Sequence, residues 1–200
     1  MNIREHKIIL ASASPRRREL LRLADLEFTV LPSTGEEVIS ETLPDKVVMQ
    51  LSKDKAQEIA AGSEYGTVII GADTVVAMND MILGKPKDRD DAFRMISTLR
   101  NSSHSVYTGV TIIYHGADGD VIRTFACETK VYVYDMTDEE IWAYIDTGEP
   151  MDKAGAYAVQ GLASLWIEGI EGDYFSVVGL PVHRLNELSK DFLGVELIDI

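Results

Sequence analysis

One carboxylate lies inside an apolar run that should otherwise form a buried strand. Residues 67–78 are rich in Val and Ile without polar alternation, which is typical of a strand buried on both faces. Asp73 is out of place in such a strand. Gly71 and Ala72 just before it remove side-chain bulk, as is needed where a ligand or another backbone comes close. Asp73 is therefore either a turn cap at a strand end or a functional carboxylate.

Three arginines follow a short turn of small residues. Ser14 can cap a helix, and Pro15 suits the first helical position. Arg16, Arg17 and Arg18 then place positive charge in the first turn, where the helix dipole favours anions. A bound phosphate would reverse that penalty, and a strand, a small-residue turn and a helix N-terminus together form a common phosphate-binding geometry. The alternative is a solvated basic turn, and the Gly and Lys spacing of a P-loop is missing.

A predicted hairpin brings a lysine toward the same region. Asn79 and Asp80 form a turn signal between the strand at 67–78 and a return strand at Met81–Leu83. Lys85 follows that return strand, so we expect it near the buried carboxylate.

Other charged groups indicate little when taken singly. Glu36 and Glu37 lie on a predicted loop, where paired acids are usually solvated, and Lys53 and Lys55 lie near the polar side of a helix. Residues 149–161 are rich in Gly, and their apolar residues follow neither a helix nor a strand period. Such a segment is more typical of a binding loop than of a core element.

The hydrophobic pattern predicts interleaved strands and helices. We expect strands at 7–11, 28–31, 67–78, 81–83, 105–114 and 121–134, and a last strand pair at 162–168 and 174–178. We expect one helix to begin at residue 15 and another to begin after a capping box formed by Thr137 and Glu140. Further helices are expected over 44–61, 88–99 and 181–193. Because hairpins are frequent, a mixed sheet is more consistent with this order than a purely parallel one.

Composition limits the class of protein. A chain of 200 residues that is 46% hydrophobic can form one domain over 1–200 with a substantial core. The net charge of −14 disfavours binding to a nucleic-acid polymer, although it allows a local basic pocket. The single Cys127 excludes an internal disulfide. The first residues show no long apolar run behind a basic region, and no stretch approaches the roughly 20 apolar residues of a membrane span. We therefore expect a cytoplasmic protein without a membrane partner.

Five short motifs occur together between residues 12 and 181. They are Ser-Ala-Ser-Pro-Arg-Arg-x-Glu-Leu-Leu at 12–21, Gly-Ala-Asp-Thr at 71–74, Gly-Lys-Pro at 84–86, Asp-Lys-Ala-Gly-Ala-Tyr-x-x-Gln-Gly at 152–161 and Gly-Leu-Pro at 179–181. In sequence and order they resemble the Maf family of nucleoside triphosphate pyrophosphatases. Each motif is weak by itself, but their joint occurrence is specific. One departure is Leu99-Arg100-Asn101 before His104, Val106 and Thr108, where the family often has Leu-Ser-Gly.

The resemblance implies a fold and a reaction. The fold is α/β, with an elongated mixed sheet flanked by helices and a central cleft, like that of inosine triphosphate pyrophosphatase. The reaction is cleavage between the α and β phosphates of a nucleoside triphosphate, which yields a nucleoside monophosphate and pyrophosphate. It depends on a divalent metal, and Mg²⁺ or Mn²⁺ suits a shell of carboxylate and phosphate oxygens. The sequence does not determine the oligomeric state, and a homodimer is one expectation.

The resemblance also assigns roles to residues. Asp73 would be the general base for the attacking water, or would hold that water through the metal. Glu37 would be a second metal ligand, although Glu36 beside it offers the same chemistry. The substrate-binding residues implied are Ser12, Ser14, Arg16, Arg17, Lys55, Thr74, Lys85 and Gln160. The basic groups would neutralise the triphosphate, and the two serines would add hydroxyl donors.

Base preference is expected to depend on Arg16, Thr74 and Gln160. The family branch that acts on dTTP and UTP has Thr and Gln at the last two positions, as here, whereas the 7-methyl-GTP branch tends to have Glu at position 160. One amide can accept from the N3–H of a pyrimidine and donate to a carbonyl, whereas a carboxylate only accepts. We therefore expect dTTP and UTP as substrates. A flipped amide could also pair with cytosine, so the amide alone does not exclude CTP.

Three alternatives remain at this point. The chain could be a 7-methyl-GTP pyrophosphatase of the same family, or a nucleotide-sensing, septum-regulating binding protein. It could also be a phosphatase that forms an aspartyl phosphate, but such an enzyme needs a second carboxylate two residues after the first, and that position is Val75.

Overall fold

Seven strands and six α-helices make up the part of the chain that the computed structural model describes, residues 6–24, 26–79 and 81–193. The strands are β1 (Ile8–Leu10), β2 (Thr29–Val30), β3 (Thr67–Met78), β4 (Met81–Leu83), β5 (Ser102–Gly116), β6 (Gly119–Val133) and β7 (Ile167–Glu171). The helices are α1 (Pro15–Leu23), α2 (Pro44–Ala60), α3 (Arg89–Leu99), α4 (Asp138–Asp146), α5 (Tyr174–Val178) and α6 (Val182–Leu193). Three short 3-10 helices lie at Glu149–Asp152, Ala154–Ala156 and Leu162–Trp166.

The strands form one mixed sheet in the order β2-β1-β3-β5-β6-β7, and β4 also pairs with β3. β1 is parallel to both of its neighbours, whereas the pairs β3/β4, β3/β5, β5/β6 and β6/β7 are antiparallel. This arrangement confirms the predicted α/β class with a mixed sheet.

One edge of β3 is shared between two short strands. On its other edge β3 pairs with β5 from Thr67 to Ala77 without interruption. On the shared edge, β1 pairs with residues 68–70 and β4 pairs with residues 76–78. Residues 71–75 therefore lie between the ends of β1 and β4, at a place where the strand order reverses. Such breaks in the order of an open sheet are where α/β proteins form their clefts, and Asp73 lies in the middle of this one.

α2 covers one face of the sheet at very short range. A Cβ on Gly71 would lie 2.3 Å from the carbonyl oxygen of Ser52, and a Cβ on Gly109 would lie 2.2 Å from that of Val48. Only glycine allows a helix backbone to come this close to a strand. The missing side chain at Gly71, just before Asp73, thus allows the backbone of α2 to come close. The close approach of another backbone was one of the two reasons that the sequence suggested, and a ligand was the other.

The opposite face carries two groups of helices. Near β1, α1, α5 and α6 contribute Leu21, Val178 and Leu185 to a core with the apolar residues of β1, β3 and β5. Farther along the strands, α3, α4 and the 3-10 helices pack together around Ile96 and Ile141. Since each group has its own apolar cluster, a cleft can form between them.

The predicted last strand pair was wrong in part. Residues 162–166 form a 3-10 helix, and the strand begins only at Ile167. Tyr174–Val178 is a helix, because the Asp173 carboxylate accepts hydrogen bonds from the N–H groups of Phe175 and Ser176. An apolar run of five residues does not distinguish a strand from a helix, and the capping Asp173 was the missed signal.

The other elements occur where they were predicted, with shifts of a few residues at their ends. The capping box of Thr137 and Glu140 is present at the start of α4. Asn79 has a positive φ of 49°, as suits the predicted turn, whereas Asp80 lies outside the described residues. The extension of one domain over all of 1–200 stays a prediction. Across the described segments, no helix is both long and apolar enough to cross a bilayer.

Candidate active site

A cleft of about 750 Å³ opens over the shared edge of β3. It contains every site residue suggested by the sequence. These are Ser12, Ser14, Arg16, Arg17, Glu37, Lys55, Asp73, Thr74, Lys85 and Gln160. They come from α1, α2, β3 and four loops, so the fold brings together residues separated by up to 148 positions in sequence, from 12 to 160.

Lys55 joins two carboxylates in this cleft. Its ammonium group contacts Oδ1 of Asp73 and lies 2.8 Å from Oε1 of Glu37. The side chains of Lys55 and Asp73 are only 16% and 13% exposed, so their attraction is weakly screened by solvent. Glu36 is exposed and does not line the cleft. Of the two adjacent acids, the structure therefore brings Glu37 to the site.

The loop that carries the second carboxylate is held by α2. Glu58 accepts hydrogen bonds from the backbone N–H of Gly35 at 3.1 and 3.2 Å. Gln50 donates to the carbonyl of Val38 at 2.7 Å. Two helix side chains thus bind the backbone on both sides of Glu37, and the same helix supplies the lysine that the glutamate contacts.

Arg17 is held by three elements at once. Its Nε donates to the carbonyl of Gly179 at 2.9 Å, Nη1 donates to Oγ of Ser12 at 3.0 Å, and Nη2 donates to Oγ1 of Thr74 at 3.0 Å. Burial lowers the pKa of Arg17, and the negative charge of Asp73 opposes that shift. An arginine pKa is so far above neutrality that the group stays charged. The result is a positive charge in a fixed orientation.

The start of α1 is capped as predicted. Oγ of Ser14 accepts from the N–H of Arg17 at 3.4 Å. Oγ of Ser12 accepts from the N–H of Ser14 at 3.3 Å in addition to the guanidinium bond. A hydroxyl that accepts two bonds still has its own hydrogen. Ser14, which accepts one bond, likewise keeps its hydrogen, so both serines have a donor left for a ligand.

A backbone hydrogen bond joins two segments that contribute to the cleft, the one after β4 and the loop at 152–161. The N–H of Gly155 donates to the carbonyl of Gly84 at 3.0 Å. Gly155 has φ +67°, and a Cβ there would lie 2.9 Å from the methyl groups of Val76. Position 155 therefore requires glycine, and this contact fixes the spacing between Lys85 and the loop around Lys153.

Lys153 was missed as a candidate site residue. It lines the cleft with a side chain only 17% exposed and pairs with Asp152, whose pKa this hydrogen bond lowers. The signal in the sequence was the Asp-Lys pair at the head of the motif at 152–161, to which no role had been assigned.

A buried histidine contacts the loop at 152–161, which also carries Lys153. Tyr157 lines the cleft, and its hydroxyl lies 2.7 Å from Nε2 of His104. His104 is 3% exposed, and burial lowers its pKa to about 4. Burial also raises the pKa of Tyr157. Both groups are therefore neutral at neutral pH and serve as a packed, hydrogen-bonded support.

The end of the loop that carries Gln160 is braced by Glu149. The Glu149 carboxylate accepts from the hydroxyl of Tyr144 at 2.9 Å and from the N–H of Leu162 at 3.1 Å. A Cβ on Gly161 would lie 2.4 Å from the same carboxylate. These contacts hold the backbone immediately after Gln160.

Comparison with known proteins gives relatives that match almost the whole chain. A protein from Lachnoclostridium phytofermentans named dTTP/UTP pyrophosphatase is 52% identical over 194 residues, covering 96% of this chain and 98% of that protein. A protein of the same name from a Thermoanaerobacter species is 50% identical over 192 residues, covering 96% of this chain and all of that protein. A solved structure of a HAM1 protein from Coxiella burnetii aligns with a TM-score of 0.42 and 15% identity, covering 63% of this chain and 73% of that one.

The family comparison covers the cleft completely. The family model described as Maf-like protein matches residues 7–192, which include all of the cleft residues named above. By this match, and by relatives that are about half identical over nearly their full length, the chain belongs to the Maf-like protein family.

Proposed function

We propose that the protein hydrolyses the α–β phosphoanhydride of nucleoside triphosphates, with preference for dTTP and UTP, and releases a nucleoside monophosphate and pyrophosphate. The observation that carries the proposal is the cleft itself, which is lined by the pair of Asp73 and Lys55 together with the fixed cation of Arg17. The names of relatives that are about half identical support the same reaction.

The cations of the cleft suit a triphosphate. Arg16, Arg17, Lys55 and Lys85 all line it, although the chain as a whole carries a net charge of −14. Positive charge is thus concentrated where a polyanion would bind. Charges that are already oriented stabilise a leaving pyrophosphate better than mobile ones, because they need no reorganisation during the reaction.

Asp73 is the group we assign to the attacking water. Water attack forms one P–O bond at the scissile phosphorus and breaks the bond to the bridging oxygen, and the proton of the water passes to a base. Asp73 lies at the middle of the open β3 edge, where a water beside the phosphate chain would be within its reach. The pyrophosphate leaves with the negative charge that the arginine and lysine groups neutralise.

Asp73 and Glu37 are the residues that would hold a divalent cation. The two carboxylates come from different elements and already converge on one positive group, the ammonium of Lys55. Among the described residues, no three His, Cys, Asp or Glu side chains come close enough to form a complete metal site. Substrate phosphates and water would complete the shell, as is usual for Mg²⁺ and also suits Mn²⁺. When bound, the metal would supply positive charge for the phosphate oxygens.

The metal ligand can be tested with two adjacent variants. Glu37→Gln should raise the Mg²⁺ concentration needed for half-maximal activity, whereas Glu36→Gln should leave it unchanged. Equal effects of the two variants would contradict the assignment of Glu37.

Gln160 is the residue we assign to base recognition. It is exposed in the cleft at the end of the braced loop, so its amide is available to a base. Its amide can pair with the N3–H and a carbonyl of thymine or uracil. Thr74 contributes indirectly, since its hydroxyl holds Arg17.

The substrate class is tested by kcat/KM for dTTP, UTP, CTP and 7-methyl-GTP in the presence of Mg²⁺ or Mn²⁺. We expect dTTP and UTP to be the best substrates. We expect Gln160→Glu to lower kcat/KM for both by an amount that corresponds to a loss of about 1–3 kcal/mol of transition-state stabilisation, by analogy with bidentate base recognition. A higher kcat/KM for 7-methyl-GTP would contradict the base preference and leave the reaction type intact.

We further infer a cytoplasmic location and a homodimer. A single cysteine and a nucleotide substrate fit a reducing compartment. Light scattering of the purified protein would give the oligomeric state, and a monomer at micromolar concentration would contradict the dimer.

A further inference from the structure

We propose that Thr108, a buried residue outside the cleft, is a positioning residue that sets the orientation of Arg17. It does so through two routes, the hydroxyl of Thr74 and the short helix α5. The effect on turnover rests on the proposed function, whereas the effect on the guanidinium does not.

The direction of each hydrogen bond in this network follows from chemistry. Oγ1 of Thr108 lies 2.8 Å from the carbonyl oxygen of Ser176, which can only accept, so the single hydroxyl hydrogen of Thr108 points there. The hydroxyls of Thr74 and Thr108 are 2.9 Å apart, so Thr74 must be the donor between them. Thr74 then has only lone pairs left, and these accept from Nη2 of Arg17.

The network closes into a ring. Thr108 binds Ser176 at the middle of α5. The residue that follows α5 is Gly179, whose N–H donates to the carbonyl of Phe175. The carbonyl of Gly179 accepts from Nε of Arg17. Thr108 thus supports both the Thr74 anchor and the Gly179 anchor of the guanidinium.

The burial of Thr108 indicates why a hydroxyl is needed there. Its exposure is 0%, and it does not line the cleft. Valine has nearly the same shape and would suit a buried strand position, but it would leave the hydroxyl of Thr74 without an acceptor. Thr74 could then turn its hydrogen away, and Nη2 of Arg17 would lose a fixed partner.

Thr111 provides a matched control on the same strand. It is also completely buried, and its hydroxyl also bonds two others, those of Ser52 at 3.0 Å and Thr124 at 2.8 Å. Because residues 108 and 111 are three apart in a strand, they point to opposite faces of the sheet. Thr111→Val removes an equivalent buried hydroxyl from the α2 face, away from Arg17.

The direct test is hydrogen exchange of the Arg17 Nε–H in the ligand-free protein, measured by proton–nitrogen NMR and assigned with Arg17→Lys. We expect exchange about tenfold faster in Thr108→Val and in Thr74→Val, the size of effect that follows from loss of one hydrogen bond to a charged group. Thr108→Ser and Thr111→Val should keep the wild-type rate. A wild-type rate in Thr108→Val, or equal acceleration in Thr111→Val, would overturn the proposal.

Activity provides the second arm. Thr108→Val should lower kcat/KM for dTTP about tenfold, and Thr108→Ser should restore it, because serine keeps the hydroxyl. If the wild-type protein fails to hydrolyse dTTP, the proposed function is wrong, and the exchange rates still decide whether Thr108 positions Arg17. Should Thr108→Val fail to fold by circular dichroism, Thr108→Cys takes its place, since a thiol is a weak donor of similar size.

Discussion

At the scale of single residues, the charged side chains of the cleft are held in place by hydrogen bonds and ion pairs to the rest of the protein. Lys55 is shared by two carboxylates, and Arg17 uses three of its five N–H groups on the protein. Such groups cannot reorient freely when a substrate binds. The charges are therefore oriented before the reaction, which is the condition for strong electrostatic stabilisation of a leaving group.

Asp73→Asn tests the base at this scale. The amide keeps the shape of the side chain but cannot take a proton from water, so we expect kcat to fall about 100-fold or more while the fold survives. Steady-state assays at saturating Mg²⁺ and circular dichroism measure the two effects. Asp118→Asn, at an exposed turn residue, is the control and should retain wild-type turnover. Wild-type kcat in metal-saturated Asp73→Asn would remove Asp73 from the catalytic role.

His104 makes stability depend on pH. Its pKa is about 4 in the fold and about 6.5 in the unfolded chain, so between these values the unfolded chain binds more protons. The free energy of unfolding should therefore fall, by about 3 kcal/mol from this residue alone, as pH decreases from 7 to 4. Urea titrations across this range should show a smaller pH dependence in His104→Asn than in wild type. His183→Asn, at an exposed histidine on α6, is the control. Equal slopes in wild type and His104→Asn would contradict the assignment.

The chemistry of the site could be predicted residue by residue where the local pattern is unusual. A lone acid in an apolar strand and arginines at a helix start stand out, and Asp73 and Arg17 indeed meet in one cleft. Lys153 and Thr108 could not be found in this way. A lysine in a loop and a threonine in a strand are ordinary by local pattern. Lys153 stands out only as part of the motif at 152–161, and the role of Thr108 follows only from its tertiary contacts.

At the scale of elements, the position of Lys55 depends on how closely α2 approaches the sheet. Gly71 of β3 and Gly109 of β5 both face carbonyl groups of that helix at distances too short for a Cβ. Two glycines on paired strands thus form a flat surface on which the helix lies. The lysine that contacts Asp73 is one turn beyond the contact with Ser52.

Gly71→Ala should therefore move the helix and the lysine together. We expect a loss of about 2 kcal/mol in the free energy of unfolding, typical of overpacking, and a lower kcat/KM for dTTP. Urea denaturation and steady-state kinetics measure these changes. Gly169→Ala in β7, where a Cβ would meet nothing within 4 Å, should be within about 0.5 kcal/mol of wild type. A Gly71→Ala protein with wild-type stability would show that the helix is not in close contact in solution.

Elements with strong end signals were predictable, whereas the short helical segments at 162–166 and 174–178 were not. The capping box of Thr137 and Glu140 placed α4, and the long β-branched run placed β3. Residues 174–178 were predicted as a strand, but Asp173 caps them into a helix. In a segment of five residues, one capping carboxylate outweighs intrinsic preference.

At the scale of the whole molecule, the cleft arises from topology. β1 and β4 are far apart in sequence and pair with the same edge of β3, which leaves residues 71–75 between them. No local pattern predicts that two strands share one edge. The helix groups on either side then supply Ser12 and Arg17 from one direction and Lys153 and Gln160 from the other.

The most direct test of this account is the identity of the products formed from dTTP by the purified protein with Mg²⁺ or Mn²⁺. Ion-exchange chromatography separates dTMP, dTDP, orthophosphate and pyrophosphate. If the cleft holds the β and γ phosphates as a leaving group, equal amounts of dTMP and pyrophosphate should form, and Asp73→Asn should reduce both together. Formation of dTDP and orthophosphate would show cleavage at the γ phosphate and would contradict the proposed reaction.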